Sequence, residues 1–253
     1  MNDRATERTD TARSTAVVIV NFHQDRFLPG LFESLHRQSS EIPGVVLVNS
    51  ALSSFAPPAG TRVIDLASNE GYGAALNAGI RWGLEGGADS FLLLNADTKL
   101  GHGCLAALAG TDADIVQPLI MLMDKPDRIN VAGLKPTFLG VAYCMGYKKP
   151  REWAGVAARE IPAASGAAMF VRGHVFEKIG LFDTSYFMYL EDVDFSLRAR
   201  NAGFKVVLNP AAVAWHEYRL KLGLRKIFWL LSGSAKIRRL MRGLISSDAL
   251  LRG

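Results

Sequence analysis

Three carboxylates stand within four residues in the segment Glu191-Asp192-Val193-Asp194, which lies at a predicted helix start. Ionised carboxylates repel one another and lose further free energy where they are partly buried. A fold tolerates such a cluster where a bound cation or a transferred proton compensates the charge. The structural alternative is an ordinary helix start, because the helix dipole favours acidic residues in its first turn. Taken alone, the segment fits this structural alternative better.

A second acidic site, Asn95-Ala96-Asp97, follows the apolar run Phe91–Leu94 far upstream. Such a run is typical of a buried strand, and ligands of open parallel sheets bind beyond the carboxyl ends of the strands. Asn21 and Asn49 follow two further apolar runs in the same way. We therefore expect Asn21, Asn49 and Asp97 on one rim of a sheet. The alternative for the second acidic site by itself is a plain polar turn.

Strands and helices alternate along the chain, which predicts an α/β fold with a mainly parallel central sheet flanked by helices. The predicted strands are 16–20, 45–48, 62–66, 91–94, 114–118, 169–171 and 205–208, the last closed by Pro210. The predicted helices are 27–38, 71–84, 175–179 and 192–201. Residues 126–162 show no clear period, so we expect a mixed extension at the edge of the sheet.

Composition limits the architecture to one main domain. The chain has 253 residues, of which 49% are hydrophobic, and this is enough for one sizeable core over residues 16–217. No run of 18 apolar residues occurs, so no transmembrane helix is predicted. The polar residues 1–15 are expected to form a disordered leader. Two cysteines, Cys104 and Cys144, are typical of a reduced cytosolic protein.

Positive charge is concentrated at the end of the chain. The formal net charge is +5, and residues 218–253 hold nine basic residues and one acid. Within residues 218–242, basic and apolar side chains mix, which favours an amphipathic helical tail on an anionic membrane surface. The alternative is a basic helix that packs on the domain or on a second protomer, giving a homodimer. No aromatic platform or known module accompanies the charge, so nucleic-acid binding is not predicted.

An ordered series of short segments extends over residues 15–217. The segments are Val18–Phe22, Asn69–Gly73, Leu94–Thr98, Ser165–Ala167, Phe182-Asp183, Tyr189–Asp194, Arg198, Gly203 and His216. The series resembles the inverting family 2 glycosyltransferases, and most of all the non-processive, rhamnosyltransferase-like branch that decorates bacterial surface polysaccharides. The resemblance implies a nucleotide-sugar-binding fold of the GT-A type. It also implies a nucleoside-diphosphate sugar donor and a glycan or lipid-linked saccharide acceptor.

The resemblance implies roles for the acidic sites as well. A divalent cation, Mg²⁺ or Mn²⁺, would stabilise the departing diphosphate as a Lewis acid. Asp97 corresponds to the last acid of the family's Asp-x-Asp motif, Asn95 replaces the first, and His216 is the second candidate metal ligand. Asp192 corresponds to the base that deprotonates the acceptor hydroxyl, with Glu191 orienting the acceptor or the base. The structural alternative for His216 is an ordinary histidine after a strand.

Donor-binding residues follow from the same resemblance. The candidates are Asn21, Phe22, Asn49, Asn69, Gly71, Asn77, Asn95, Ala96, Ser165 and Gly166. Asn49 stands where the family usually has an Asp that binds uracil or thymine, and an Asn amide can still hydrogen-bond that edge of the base. The resemblance therefore implies thymidine-diphosphate-rhamnose or a UDP-sugar as the donor. A simple tight turn is the alternative for Ser165 and Gly166. Asp194, in contrast, is expected to cap its helix or to pair with Arg198, four residues on.

Two other classes of protein share this architecture. A nucleotidyltransferase would carry a Gly-rich loop with Lys or Arg after the first strand, whereas this chain has the segment Asn21–Asp25 there. A catalytically inert nucleotide-sugar-binding or assembly protein stays open, because Asn95 and Asn49 stand in place of acids. We expect a metal-dependent, inverting glycosyltransferase of bacterial surface polysaccharide synthesis. Its expected location is cytoplasmic, or peripheral on the inner face of the cytoplasmic membrane.

Overall fold

The computed structural model describes residues 14–38, 42, 44–217 and 233–242. In the described residues the strands are β1 (Thr15–Asn21), β2 (Gly44–Asn49), β3 (Arg62–Asp65), β4 (Ser90–Asn95), β5 (Thr98–Leu100), β6 (Ile115–Leu122), β7 (Ile129–Val131), β8 (Leu134–Pro136), β9 (Ala142–Cys144), β10 (Arg159–Glu160), β11 (Ala168–Arg172) and β12 (Val206–His216). The helices are α1 (Leu28–His36), α2 (Tyr72–Glu85), α3 (Cys104–Ala109), α4 (Gly173–Ile179) and α5 (Glu191–Asn201), with a further helical segment at residues 233–242. The predicted leader lies outside the described residues, apart from Ser14 and Thr15.

A single mixed sheet forms the centre of the described chain, in the order β10-β12-β6-β11-β4-β1-β2-β3. Strands β3, β2, β1 and β4 are parallel, whereas β11 runs antiparallel to both β4 and β6. Strands β5 and β7 pair with β12 and β6, and β8 pairs with β9 in a separate hairpin. The predicted α/β fold, with a parallel first half and a mixed extension, is therefore confirmed.

The parallel half is built from strands that are covered on both faces. All seven residues of β1 are buried, and alternate residues contribute to two apolar layers on opposite sides of the sheet. Val17 and Ile19 belong to one layer, and Val18 and Val20 belong to the other. Water reaches neither face of these strands. Their sequences are therefore apolar at successive positions and do not alternate between apolar and polar residues.

Strand register brings the polar residues after these strands to one rim. Asn21 pairs in register with Asn49, and Asn49 with Asp65. On the other side of β1, Val20 is in register with Asn95. The predicted rim at the carboxyl ends of the parallel strands is therefore present.

Strand β12 differs from the prediction that Pro210 would close it. The strand continues to His216, with a shift of register against β6 between Asn209 and Val213. This bulge accommodates the proline, which has no N–H to donate to the ladder. The Asn209 side chain accepts a hydrogen bond from the Ala211 N–H (2.9 Å) and donates to the Ala107 carbonyl (3.2 Å). The continued strand carries His216 to the rim.

The helical segment at residues 233–242 packs against the domain. Ile237 is fully buried in the apolar layer that also contains Leu190 and Val193. Lys236 donates a hydrogen bond of 2.7 Å to Asp183. Most of the predicted tail, residues 218–232 and 243–253, lies outside the described residues. Among the described residues, no helix combines the length and the apolar character that crossing a bilayer requires.

Candidate active site

A cleft of about 710 Å³ opens beyond the carboxyl ends of β1 and β4. Its lining includes nine of the residues that the sequence analysis selected: Phe22, Asn95, Ala96, Asp97, Ser165, Gly166, Glu191, Asp192 and His216. They come from distant parts of the chain, namely the segments after β1 and β4, the segment before β11, the first turn of α5 and the end of β12. The cleft brings both acidic sites together.

Asp97 and His216 form the first polar pair of the cleft. His216 Nε2 lies 3.3 Å from Asp97 Oδ1, and both side chains are largely buried. The pairing of β12 with β5 explains this contact, because His216 is in register with Thr98, the residue after Asp97. Gln24 Nε2 lies 3.4 Å from the other carboxylate oxygen of Asp97.

Asn130 orients the His216 ring, because its Oδ1 lies 3.0 Å from His216 Nδ1. A ring that donates from Nδ1 to this oxygen presents its Nε2 lone pair towards Asp97. Asn95 Nδ2 lies 3.4 Å from the same Nε2 atom, so an amide of the second acidic site also reaches the ring. A metal-binding histidine commonly has a hydrogen-bond partner of this kind on its other nitrogen.

The donor set suits a divalent cation that also binds substrate. Imidazole nitrogen and carboxylate oxygen are both ligands of Mn²⁺, and a cation of this type commonly has few protein ligands and takes others from substrate phosphates. Asn95 Oδ1 is a further buried oxygen of the cleft without a hydrogen-bond partner. Among the described residues there is no group of three or more His, Cys, Asp or Glu side chains that could hold a metal. Asp97 and His216 therefore offer two protein ligands to a cation that would take its other ligands from a diphosphate.

Asp192 is held by two backbone N–H groups on another wall of the cleft. Gly166 N–H donates to Oδ2 (2.9 Å), and Val193 N–H donates to Oδ1 (2.8 Å). Burial raises the pKa of Asp192, although these hydrogen bonds favour its ionised form. A carboxylate with a raised pKa and a fixed orientation is suited to accept a proton.

Glu191 lies beside Asp192 and is buried, whereas Asp192 is half-buried. Its Oε2 has no hydrogen-bond partner. Burial and, secondarily, the charge of Asp192 raise the pKa of Glu191, so the pair favours a single negative charge near neutral pH. The two preceding residues, Tyr189 and Leu190, have φ of 68° and 71°, which is a strained backbone for residues with a side chain.

Tyr72 lines the cleft together with both acidic sites. Its hydroxyl donates to the Gly166 carbonyl at 2.7 Å. Burial raises the pKa of Tyr72, and the charges of Glu191, Asp192 and Asp97 raise it further. Tyr72, Asp97 and Asp192 all line the same cleft.

This geometry can be compared with known proteins. A family model described as "Glycosyltransferase like family 2" matches residues 12–228. The chain belongs to glycosyltransferase family 2. The resemblance found in the sequence is thereby confirmed.

Two relatives of this family 2 glycosyltransferase have named activities. The low-salt glycan biosynthesis hexosyltransferase Agl10 of Haloferax volcanii is 27% identical over 76% of this chain and 63% of its own length. The N-acetylglucosaminyl-diphospho-decaprenol L-rhamnosyltransferase of Mycobacterium tuberculosis is 28% identical over 77% of this chain and 72% of its own length. The chain thus spans less than two thirds of the Haloferax relative.

Two solved structures show the same fold. GalNAc-T7, solved with UDP, GalNAc and Mn²⁺, has a TM-score of 0.66 at 17% identity, over 84% of this chain and 45% of that chain. TarS of S. aureus has a TM-score of 0.57 at 13% identity, over 81% of this chain and 37% of that chain. The predicted GT-A type fold of the glycosyltransferase is confirmed by these structures.

Five predicted donor-binding residues of the glycosyltransferase do not line the cleft. Asn21 and Asn49 are buried in a chain of hydrogen-bonded side chains, in which Asn21 Nδ2 donates to Asn49 Oδ1 (2.9 Å) and Asn49 Nδ2 donates to Asp65 Oδ1 (2.8 Å). Asn69 accepts from the Gly71 N–H at 3.0 Å and so shapes the turn before α2.

Gly71 and Asn77 hold elements together. Asn77 exchanges two hydrogen bonds with the backbone of Phe182, at 2.9 Å and 3.0 Å, and is buried. A Cβ on Gly71 would lie 2.2 Å from the Phe187 carbonyl oxygen, and its φ is 99°. Both residues therefore stabilise the segment that precedes Glu191. Neither Gly71 nor Asn77 is among the residues that line the cleft.

Asp194 takes the structural role predicted for it. Its carboxylate accepts a hydrogen bond of 2.8 Å from Arg198 Nε and lies 3.3 Å from the Tyr186 hydroxyl. Arg198 also donates to the carbonyls of Ile179 (2.7 Å) and Leu181 (2.9 Å). This network anchors α5, whose first turn carries the catalytic candidates.

Sequence reasoning missed three polar residues of the site. Tyr72 belongs to the segment Asn69–Gly73, which resembles the family. Its hydroxyl contacts Gly166, 94 residues away in sequence, and this contact is not visible in the sequence. Gln24 was visible as a polar residue after the first strand. Asn130 lies in the stretch without clear periodicity, and nothing in the sequence marks it.

Proposed function

We propose that the chain transfers a sugar from a nucleoside-diphosphate donor to a hydroxyl group of an acceptor, with inversion at the anomeric carbon. The observation that carries this proposal is the shared cleft of the Asp97–His216 pair and Asp192. The acid–imidazole pair suits the binding of the diphosphate, and the separate, half-buried carboxylate of Asp192 suits the acceptor hydroxyl. With one base and no second nucleophile assigned, the reaction is a single displacement.

Asp97 and His216 would hold the divalent cation, Mg²⁺ or Mn²⁺, with Asn130 fixing the ring of the histidine. When bound, such a cation supplies Lewis-acid stabilisation of the charge on the leaving diphosphate. The solved GalNAc-T7 structure contains Mn²⁺ with UDP, which supports this assignment by likeness of fold. Asn95, which replaces the first acid of the family motif, leaves this chain with one carboxylate at the position.

Asp192 would accept the proton of the acceptor hydroxyl. Its two backbone hydrogen bonds, from Gly166 and Val193, hold the carboxylate in place and leave the remaining lone pairs for the acceptor. Protonated Glu191 beside it would donate a hydrogen bond to the acceptor or to Asp192. The raised pKa of Glu191 supports this division of roles, because two adjacent buried carboxylates do not both ionise readily.

The donor is proposed to be a pyrimidine nucleoside-diphosphate sugar, with thymidine-diphosphate-rhamnose first among the candidates. A relative from Shigella flexneri carries the name dTDP-rhamnosyl transferase RfbF. The Mycobacterium relative is named for a diphospho-decaprenol acceptor, so a lipid-linked saccharide is the proposed acceptor class. Surface polysaccharide synthesis is the matching biological role.

A donor screen tests the proposal. The purified protein is incubated with Mn²⁺ and a panel of uridine and thymidine diphosphate sugars, and both the thermal midpoint and the release of nucleoside diphosphate are measured. The proposal predicts a shift of the midpoint for one donor and release of its diphosphate when a lipid-linked saccharide is added. Binding without release for every donor and acceptor would favour the inert nucleotide-sugar-binding alternative.

A further inference from the structure

Two large apolar side chains are exposed at the tip of the β8–β9 hairpin. Phe138 is 82% exposed and Leu139 is 58% exposed. The turn that carries them is well hydrogen-bonded, since Thr137 N–H donates to the Val141 carbonyl (2.7 Å) and Gly140 N–H donates to the Thr137 carbonyl (2.8 Å). An ordered turn that holds two adjacent apolar side chains in water is less common than a single exposed one.

The helical segment at residues 233–242 packs directly on this tip. Arg238 Nη1 donates to the Leu139 carbonyl at 2.7 Å. A Cβ on Gly140 would lie 2.0 Å from the Ser234 carbonyl oxygen, so the two backbones are in close contact. The hairpin tip and the helical segment therefore form one continuous surface.

The exposed side of the helical segment is positively charged. Arg239 and Arg242 are exposed, as is Arg238 beside the hairpin, and residues 233–242 contain no acidic residue. Lys236 forms an ion pair with Asp183, so the net positive charge of this surface comes from the three arginines. Apolar side chains next to a cluster of cations match the interface of an anionic membrane, where acyl chains and phosphate groups meet.

The same hairpin forms part of the cleft. Leu134, Ala142, Tyr143 and Cys144 from its two strands line the wall of the cleft. A membrane in contact with the tip would therefore lie beside the cleft. A saccharide attached to a lipid in that membrane would have a short path to Asp192.

We propose that Phe138, Leu139, Arg238, Arg239 and Arg242 form a surface that docks on anionic lipid. We call these five residues the docking surface. Only the consequence of docking, the delivery of a lipid-linked acceptor to the cleft, rests on the proposed function. The binding itself is independent of catalysis. The apolar pair would enter the interface, and the arginines would contact lipid phosphates.

Vesicle sedimentation tests the apolar half of the docking surface. The full chain is mixed with vesicles of phosphatidylcholine, with and without phosphatidylglycerol, in the absence of any donor. We expect wild-type protein to bind the phosphatidylglycerol vesicles, and the double variant F138S/L139S to bind them at least about tenfold more weakly. The control L52S/V156S removes two apolar side chains that are 99% and 93% exposed elsewhere, and it should bind like the wild type.

Charge reversal tests the basic half. R239E/R242E should lower the affinity for phosphatidylglycerol vesicles by at least about tenfold and weaken its dependence on salt. The control R62E/R81E makes the same change of net charge at two exposed arginines of β3 and α2, and it should retain most of the binding. Thermal midpoints of all variants are compared with wild type to show that each is folded.

Three results would overturn the inference. The first is equal binding of wild-type protein to vesicles with and without phosphatidylglycerol. The second is equal vesicle binding by F138S/L139S and L52S/V156S. The third is self-association of the wild type without vesicle binding. In that case light scattering would show a mass that rises with protein concentration, F138S/L139S would abolish the rise, and the surface would be a protein interface. A wild type that binds vesicles but transfers no sugar would contradict the proposed function and leave the docking surface supported.

Discussion

The Nε2 atom of His216 lies 3.3 Å from the Oδ1 atom of Asp97, although the two residues are far apart in the sequence. The antiparallel pairing of β5 and β12 creates this contact. Asn130 Oδ1 lies 3.0 Å from the other nitrogen of the ring and fixes the orientation in which Nε2 faces the carboxylate. A cation at this position would bind both groups.

The Asp97→Asn variant should need at least about tenfold more Mn²⁺ for half-maximal activity, because the proposed metal site loses the carboxylate between β4 and β5. Titration of activity with Mn²⁺ measures this change. Asp124→Asn is the matched control, since it removes one exposed carboxylate away from the cleft lining. An unchanged Mn²⁺ requirement in Asp97→Asn would exclude Asp97 as a metal ligand.

Asn130 should act as a positioning residue for His216. Partners of metal-binding histidines typically contribute about 10–100-fold to metal affinity, and Asn130→Ala is expected to weaken Mn²⁺ binding within that range. Calorimetry in the presence of nucleoside diphosphate measures it without turnover. Asn130→Asp can still accept the Nδ1 hydrogen bond and should restore much of the affinity. If Asn130→Ala binds Mn²⁺ as the wild type does, the ring needs no such partner.

Glu191 should make the fold less stable at high pH. Burial and the charge of Asp192 raise the pKa of Glu191 to about 8 in the folded protein, above its ordinary value. The contribution of Glu191 to the free energy of unfolding is fully present below the ordinary pKa of a glutamate. It is lost as the pH rises through the pKa of the folded protein, because the unfolded chain releases this proton more readily than the folded chain does. Glu191→Gln removes this dependence.

Thermal unfolding between about pH 5 and pH 9 measures the effect. The midpoint of the Glu191→Gln variant should exceed that of the wild type by at least about 2–4 °C at the upper end, equivalent to about 1 kcal/mol. At the lower end the two proteins should differ less. Parallel curves for the two proteins over the whole range would mean that Glu191 is not the group responsible.

Gly71 should be intolerant of a side chain. Gly71→Ala places a Cβ 2.2 Å from the Phe187 carbonyl oxygen and also strains a backbone with φ of 99°. Gly87→Ala is the control, because its φ of 77° brings comparable strain but its Cβ would meet nothing within 4 Å. Strain alone costs about 1–2 kcal/mol, so urea unfolding should show that loss for Gly87→Ala and a larger one for Gly71→Ala. Equal losses would show that the Phe187 contact yields without cost.

Much of the parallel half could be predicted from the sequence. The apolar runs that became β1, β2 and β4 are buried on both faces, and such runs have few alternatives. The end of β12 could not be predicted in this way. Pro210 ordinarily ends a strand, and only the bulge between Asn209 and Val213 lets the chain continue to His216.

The residues of the site could be predicted where they belong to the ordered series of family-like segments. The contacts between them could not, because they depend on pairing between distant strands. Asp97, Asp192 and His216 were selected from the sequence, and all three line the cleft. Their mutual contacts depend on strand register, which a single sequence does not specify. Asn77 illustrates the reverse case, since a polar residue in the expected segment is fully engaged with the Phe182 backbone.

The central claim is that Asp192 removes the acceptor proton in the cleft that also binds the donor diphosphate through Asp97 and His216. The most direct measurement is the kcat of Asp192→Asn together with its donor-induced thermal shift in Mn²⁺. We predict that kcat falls by about 10²–10⁴-fold while the donor-induced shift stays at the wild-type value. A variant that transfers sugar at a rate near that of the wild type would contradict the account.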